Sequence, residues 1–140
     1  MKLNDFYSQV CKRYKEVGFG GLSQLDKFVL VVVEFQGQMN SGGLDPYFFN
    51  SSGDSTPVLL DAFDAIGAVE ARNLTTDALA VFDPVGGYTT NQDARIERLN
   101  QLDIDACAEK FTPLNRRLGE MVEEISQQLE IYLTRNAQNA

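Results

Sequence analysis

Residues 40–54, NSGGLDPYFFNSSGD, constrain the fold more than any other part of this 140-residue chain. Tyr47, Phe48 and Phe49 stand between Asn-Ser-Gly-Gly and Asn-Ser-Ser-Gly, two clusters of turn-forming residues. Three consecutive aromatics are too apolar to leave in water. The flanking glycines, serines and asparagines break a regular helix on both sides. The segment therefore reads as a short aromatic plug held between two fixed turns, with all three rings filling the core.

On either side of the plug the periodicity is helical. Phe6, Val10, Tyr14 and Val17, with Cys11, fall on one stripe at about four-residue spacing that ends at Gly18. Ser23 followed by Asp26 predicts a capped helix over 24–39. Its run FVLVVV is rich in β-branched residues, but it continues unbroken through Glu34, Phe35 and Met39, longer than a typical strand. Asp45-Pro46 predicts the cap and first turn of a short helix ending at Phe49. Asp54-Ser55-Thr56-Pro57 repeats that grammar and starts a helix over 57–66, with Leu59, Leu60, Phe63 and Ile66 inward and Gly67 as its stop. A further helix over 68–82 turns Ala71, Leu74, Ala78 and Phe82 inward. Residues 91–110 predict one or two surface helices using Ile96, Leu99, Leu102 and Ile104. Thr112-Pro113 predicts the cap of a last helix, on which Leu114, Leu118, Met121, Ile125, Leu129 and Tyr132 keep a three-to-four spacing. The expectation is one all-α domain of six or seven helices over residues 1–135, with residues 136–140 a frayed tail.

A chain of this length forms a single domain that buries about 70% of the surface its unfolded form exposes. The apolar run at 28–33 is too short to cross a bilayer, and the charged, amphipathic N-terminus does not read as a secretory signal. Cys11 and Cys107, the two cysteines, read as idle core thiols in a reducing compartment, so the expected location is the cytoplasm. The net charge of −8 is unevenly placed. Within residues 28–94 nine acids stand against one base, Arg72, and this segment accounts for the whole excess. Such a chain repels nucleic acid and anionic membranes and attracts basic partners at low salt.

There is no histidine, which removes the commonest general base and the commonest metal ligand. The glycines of GFGG and Gly86-Gly87 lack a following Lys-Ser or Lys-Thr and read as turns, not phosphate loops. Asp61 and Asp64 share a helix face, as do Glu120, Glu123 and Glu124, but no Glu-x-x-His pattern accompanies them. The expectation is a protein without enzymatic activity, metal or cofactor.

The segment NSGGLDPYFFNSSGD, followed by a helix and DAIGA at 64–68, resembles a family of small bacterial proteins catalogued as a domain of unknown function. That family includes a DNA-mimic protein. The likeness rests on Asn40, Gly43, Tyr47, Phe48, the run NSSG at 50–53 and the run IGA at 66–68, while Ser41 and Leu44 depart from the pattern. It is good over about residues 34–82 and faint over the final helix. What the resemblance implies is a helical protein that forms a homodimer and, in the DNA-mimic member, carboxylates standing where duplex phosphates would stand. Helix neighbours three or four residues apart lie about 5–6 Å from each other, and a duplex carries one charge per about 3.4 Å of each strand. A row of helical carboxylates can therefore approximate phosphate spacing. The charge map, not the family motif, nominates Asp45, Asp54, Asp61, Asp64, Glu70 and Asp77 as partner-binding residues. The expected partner is a basic DNA-binding protein such as a transcription factor. The alternative is an immunity or regulatory module with another partner, in which aromatic residues near Tyr47 and Tyr88 carry recognition.

Overall fold

The apolar run at 28–33 is the middle of a helix, and that helix is the axis around which the others gather. Ser23 starts it: its hydroxyl accepts from the Asp26 N–H at 3.1 Å, satisfying one of the free donors of the first turn. The structure is a computed structural model that describes residues 2–137. Within them the helices are α1 (Leu3–Val17), α2 (Gln24–Ser41), α3 (Leu44–Phe49), α4 (Thr56–Ile66), α5 (Val69–Leu79), α6 (Gln92–Asn100), α7 (Ile104–Glu120) and α8 (Val122–Ala137). Short 3-10 segments lie at Phe19–Gly21, Ser51–Ser55 and Ala80–Val85, and none of the described residues is in a strand.

The described chain thus has eight α-helices rather than six or seven. The aromatic plug forms the expected short helix, two residues longer at its start and counted as a helix of its own, and the C-terminal third divides differently from expectation. Pro113 does not open a helix; it lies inside α7 on the exposed side. The long last helix is cut at Met121 (φ −99°, ψ −1°). Met121 nevertheless stays buried with Leu118 and Ile125, so the apolar spacing runs across the break without a sign of it. Ile104, expected to face inward, is the first residue of α7 and 84% exposed. α8 continues through Asn136 into the segment expected to fray, and residues 138–140 lie outside the described ones.

α2 touches α1, α3, α4, α7 and α8. A helix contacted on all sides can be apolar all round, and Phe28, Val29, Leu30, Val31, Val32 and Phe35 are all buried. Its two buried polar side chains are both matched. Asp26 receives Arg13 of α1 in a fork, Nε to Oδ2 at 2.8 Å and Nη2 to Oδ1 at 2.7 Å. Gln36 donates to the Val122 carbonyl at 2.8 Å and to the Ser126 hydroxyl at 3.1 Å, fixing the head of α8 just beyond the Met121 break. On α1 the buried stripe is shorter than expected: Leu3, Phe6 and Val10 are buried, whereas Tyr14 and Val17 are exposed.

α3 begins one residue before the expected Asp45 cap, because its N-cap is Gly43. Gly43 has φ +89° and ψ −151°, a conformation open essentially to glycine alone. A Cβ there would come within 2.6 Å of the Asn115 side chain. That side chain does the capping: the Leu44 N–H donates to Asn115 Oδ1 at 2.8 Å. Gly43→Ala is expected to lower stability by roughly 2–4 kcal/mol, combining backbone strain with a lost hydrogen bond. A chemical denaturation curve measures it, and a loss below about 0.5 kcal/mol, within the range of an ordinary surface substitution, would show that the turn tolerates a side chain.

Candidate functional site

Tyr47 and Phe48 are buried, and Phe48 is ringed by aromatics. Its centroid lies 5.1 Å from Tyr47, 5.3 Å from Phe82, 5.9 Å from Phe111 and 6.3 Å from Tyr88. Phe49, expected in the core with them, is 47% exposed. Three consecutive side chains spread over about 200° of a helix, and α3, unlike α2, leaves part of that arc in solvent, with Asp45 and Phe49 both exposed.

The turn that follows is pinned by a residue outside it. Arg95 of α6 is 0% exposed. It donates from Nε to the Phe48 carbonyl at 2.5 Å, from Nη2 to the Asn50 carbonyl at 2.9 Å and from Nη1 to the Thr89 carbonyl at 3.0 Å. Nη2 also bonds Asp54 Oδ1 at 2.7 Å. A Cβ on Gly53 would stand 2.8 Å from Arg95 Nε, so this glycine is required for close approach to the guanidinium. The Gly53 carbonyl accepts from the Tyr88 hydroxyl and, at 2.9 Å, from Thr56 Oγ1. Ser52 Oγ donates to the Tyr47 carbonyl at 2.9 Å, and Tyr47 Oη lies 3.1 Å from Thr56 Oγ1. Burial raises the hydroxyls of both Tyr47 and Tyr88 above their ordinary range. Tyr47 is buried and Tyr88 half-buried, and the hydroxyl of each is held inside the turn. Asp54 is likewise no helix cap: α4 starts after Ser55, and the Asp54 carboxylate serves Arg95.

Five of the six nominated acids are exposed and Asp54 is half-buried. Asp61 and Asp64 lie on α4, Glu70 and Asp77 on α5, and these two helices pack against each other. Asp45 belongs to the first turn of α3, where desolvation raises its carboxyl above the usual range. Internal bases already engage part of the set. Asp64 pairs with Arg72, the one base of the acidic segment, at 2.7 Å. Arg117 reaches Glu70 at 2.6 Å and Glu120 at 3.1 Å. Asp45, Asp61 and Asp77 form no ion pair among the described residues. Exposed pairs of this kind contribute about 0–1 kcal/mol and do not lock the side chains in place. No group of three or more His, Cys, Asp or Glu side chains among the described residues is arranged to hold a metal ion, and no described helix is long and apolar enough to cross a membrane. Cys107 is buried and Cys11 half-buried, both as free thiols.

A groove that the linear charge map does not reveal runs between α1, α2 and the turn after α3. One cavity of about 330 Å³ is lined by Tyr14, Phe19, Leu30, Glu34, Ser51, Ser52, Asp54, Ser55 and Val58. An adjoining one shares Glu34, Ser51 and Ser52 and adds Tyr7, Gln38, Asn50 and Gln92. Glu34 has no ion pair among the described residues. Its side chain keeps much of its area in solvent, yet the walls desolvate the carboxyl and raise it above the usual carboxylate range. Tyr7 is pushed up to about 12, first by burial and then by its contact with Cys11 and the nearby Glu34 charge.

No curated protein and no solved structure matches this chain. A family model described as DMP19-like protein matches residues 20–136, a span that takes in the aromatic plug, the Arg95-pinned turn, the groove wall on α2 and the acidic pair α4–α5. The chain therefore belongs to the DMP19-like protein family.

Proposed function

We propose that this protein is a non-enzymatic DNA mimic, which binds a basic DNA-binding protein through surface carboxylates and blocks that protein's access to DNA. Its family is one of DNA mimics. The observation that carries the reading for this chain is the α4–α5 pair: Asp61, Asp64, Glu70 and Asp77 are all exposed there, within a segment that holds a single base. A dense exposed negative charge attracts a protein built to bind phosphates and repels nucleic acid itself. The lack of histidine supports a binding rather than a catalytic role. Free, widely separated cysteines fit a reducing cytoplasm. A homodimer, as the family likeness implies, would present two such surfaces.

Affinity capture from native lysate tests this reading. The protein is expected to retain a DNA-binding protein at about 50 mM salt and release it near 500 mM, because contacts between exposed charges are screened over that range. Asp61→Lys with Asp64→Lys is expected to abolish capture while far-UV circular dichroism stays unchanged. Asp61→Lys alone, which disturbs no ion pair, is expected to weaken it at least tenfold. Capture that survives both high salt and the double reversal would overturn mimicry by this face and favour the immunity or regulatory alternative.

A further inference from the structure

The geometry points to a second contact site, in the groove between α1, α2 and residues 50–55, that takes a guanidinium group: an arginine side chain carried by the basic partner. The site is centred on Glu34 of α2, with Asp54 beside it and Val58 of α4 in its wall, and features of three kinds meet in it.

The first is unanswered charge. Glu34 has no counter-ion among the described residues, and neither cavity is lined by a lysine or arginine. Arg13 is engaged by Asp26 and Arg95 by the turn. The second is a supply of acceptors. Ser51, Ser52 and Ser55 line the smaller cavity together with Asp54, whose Oδ1 alone is taken by Arg95. A guanidinium has five donors in a rigid fork, whereas an ammonium is a compact point charge with three. The acceptor-rich wall matches the former. The third is a pair of rings. Tyr14, nearly half exposed, and Phe19 line the same cavity, and aromatic faces attract planar cations. One face of Phe19 already carries the Lys27 ammonium, with Nζ 5.4 Å from the ring centroid, which leaves Tyr14 as the freer ring. The raised Glu34 carboxyl agrees with this assignment, since a desolvated acid without a cation rises and one with a bound cation falls. The wall is also preorganised, because Arg95 and Tyr88 hold the turn that carries the serines, so binding pays little to order it.

N-acetyl-arginine amide titrated into isotope-labelled protein at low salt tests the site without any partner. Saturable amide shifts are expected at Tyr14, Glu34, Ser51 and Ser52, with a dissociation constant on the order of 1 mM. N-acetyl-citrulline amide, the neutral isostere, is expected to give none. Glu34→Gln is expected to weaken binding at least tenfold with the remaining spectrum unchanged, and Tyr14→Leu, at an exposed ring, to weaken it several-fold. Equal response to citrulline, unchanged affinity in Glu34→Gln, or shifts spread evenly over α4 and α5 would each overturn the site. The inference rests on the mimic reading only for the owner of the arginine. A successful titration without a captured partner leaves the site standing and sinks the mimic reading. A partner captured equally by wild type and Glu34→Gln, with a failed titration, sinks the site alone.

Discussion

Arg95→Ala is expected to cost about 3–5 kcal/mol of unfolding free energy, a large share of the roughly 5–15 kcal/mol that holds a domain of this size. The guanidinium is fully buried and serves three backbone carbonyls and one carboxylate. Alanine leaves the buried Phe48 carbonyl and the part-buried Asn50 and Thr89 carbonyls without their donor, and a buried acceptor left unpaired costs about 1–3 kcal/mol. Asp54 loses the one cation it pairs with among the described residues. Because Asp54 is half-exposed, water recovers part of that loss, which keeps the total near the single-charge figure rather than the sum of all four contacts. Arg95→Lys keeps the charge but has three donors on a point-like group, so it is expected to fall about midway. Urea denaturation followed by circular dichroism gives the comparison. If alanine costs less than about 1 kcal/mol, no more than an average substitution, the guanidinium is not what fixes the turn.

Phe48→Ala is expected to destabilise by about 3–5 kcal/mol, and Phe49→Ala by less than about 1 kcal/mol. Phe48 is fully buried with rings of Tyr47, Phe82, Tyr88 and Phe111 around it. Truncation opens a void that the surrounding rings, each fixed by other contacts, cannot close. Tyr47 is braced by Phe35 at 5.1 Å and Tyr88 by its bond to Gly53. Phe49 has roughly half its surface in water already and leaves no such void. The pair makes a stringent comparison, since the two residues are chemically identical neighbours on one short helix. Equal losses would mean that α3 is not oriented as described.

What the sequence announced and what it concealed divide along one physical line. Boundaries decided by local chemistry were legible: Gly18 after α1, Ser23 before α2, and Gly67 after α4. Boundaries decided by distant residues were not. The cap of α3 is completed by Asn115, 71 positions away, so Asp45 looked like the cap only because its true partner is invisible to local spacing. Met121 ends a helix while staying in the core, and periodicity registers burial, not backbone continuity. The acids of α4 and α5 were legible as charge and as helical neighbours. Which of them are matched was not, because Arg117 lies 47 positions from Glu70. Glu34 stood out least of all, as one acid among nine; it is the concavity around it that distinguishes it, and a linear charge map carries no concavity.

The Arg95 bonds also impose an order of assembly. Their donor lies 45 and 47 positions after the Asn50 and Phe48 carbonyls that receive it. Helices α1, α2, α4 and α5 can each begin on bonds made within themselves, whereas the cap of α3 waits for Asn115 and the turn between α3 and α4 cannot lock until α6 has formed and docked. On a ribosome, which delivers the chain from its N-terminus, the aromatic helix emerges well before the clamp that holds the turn after it. A nascent or truncated chain ending before residue 91 keeps the segments for α1 to α5, yet it lacks the clamp that shapes one wall of the groove.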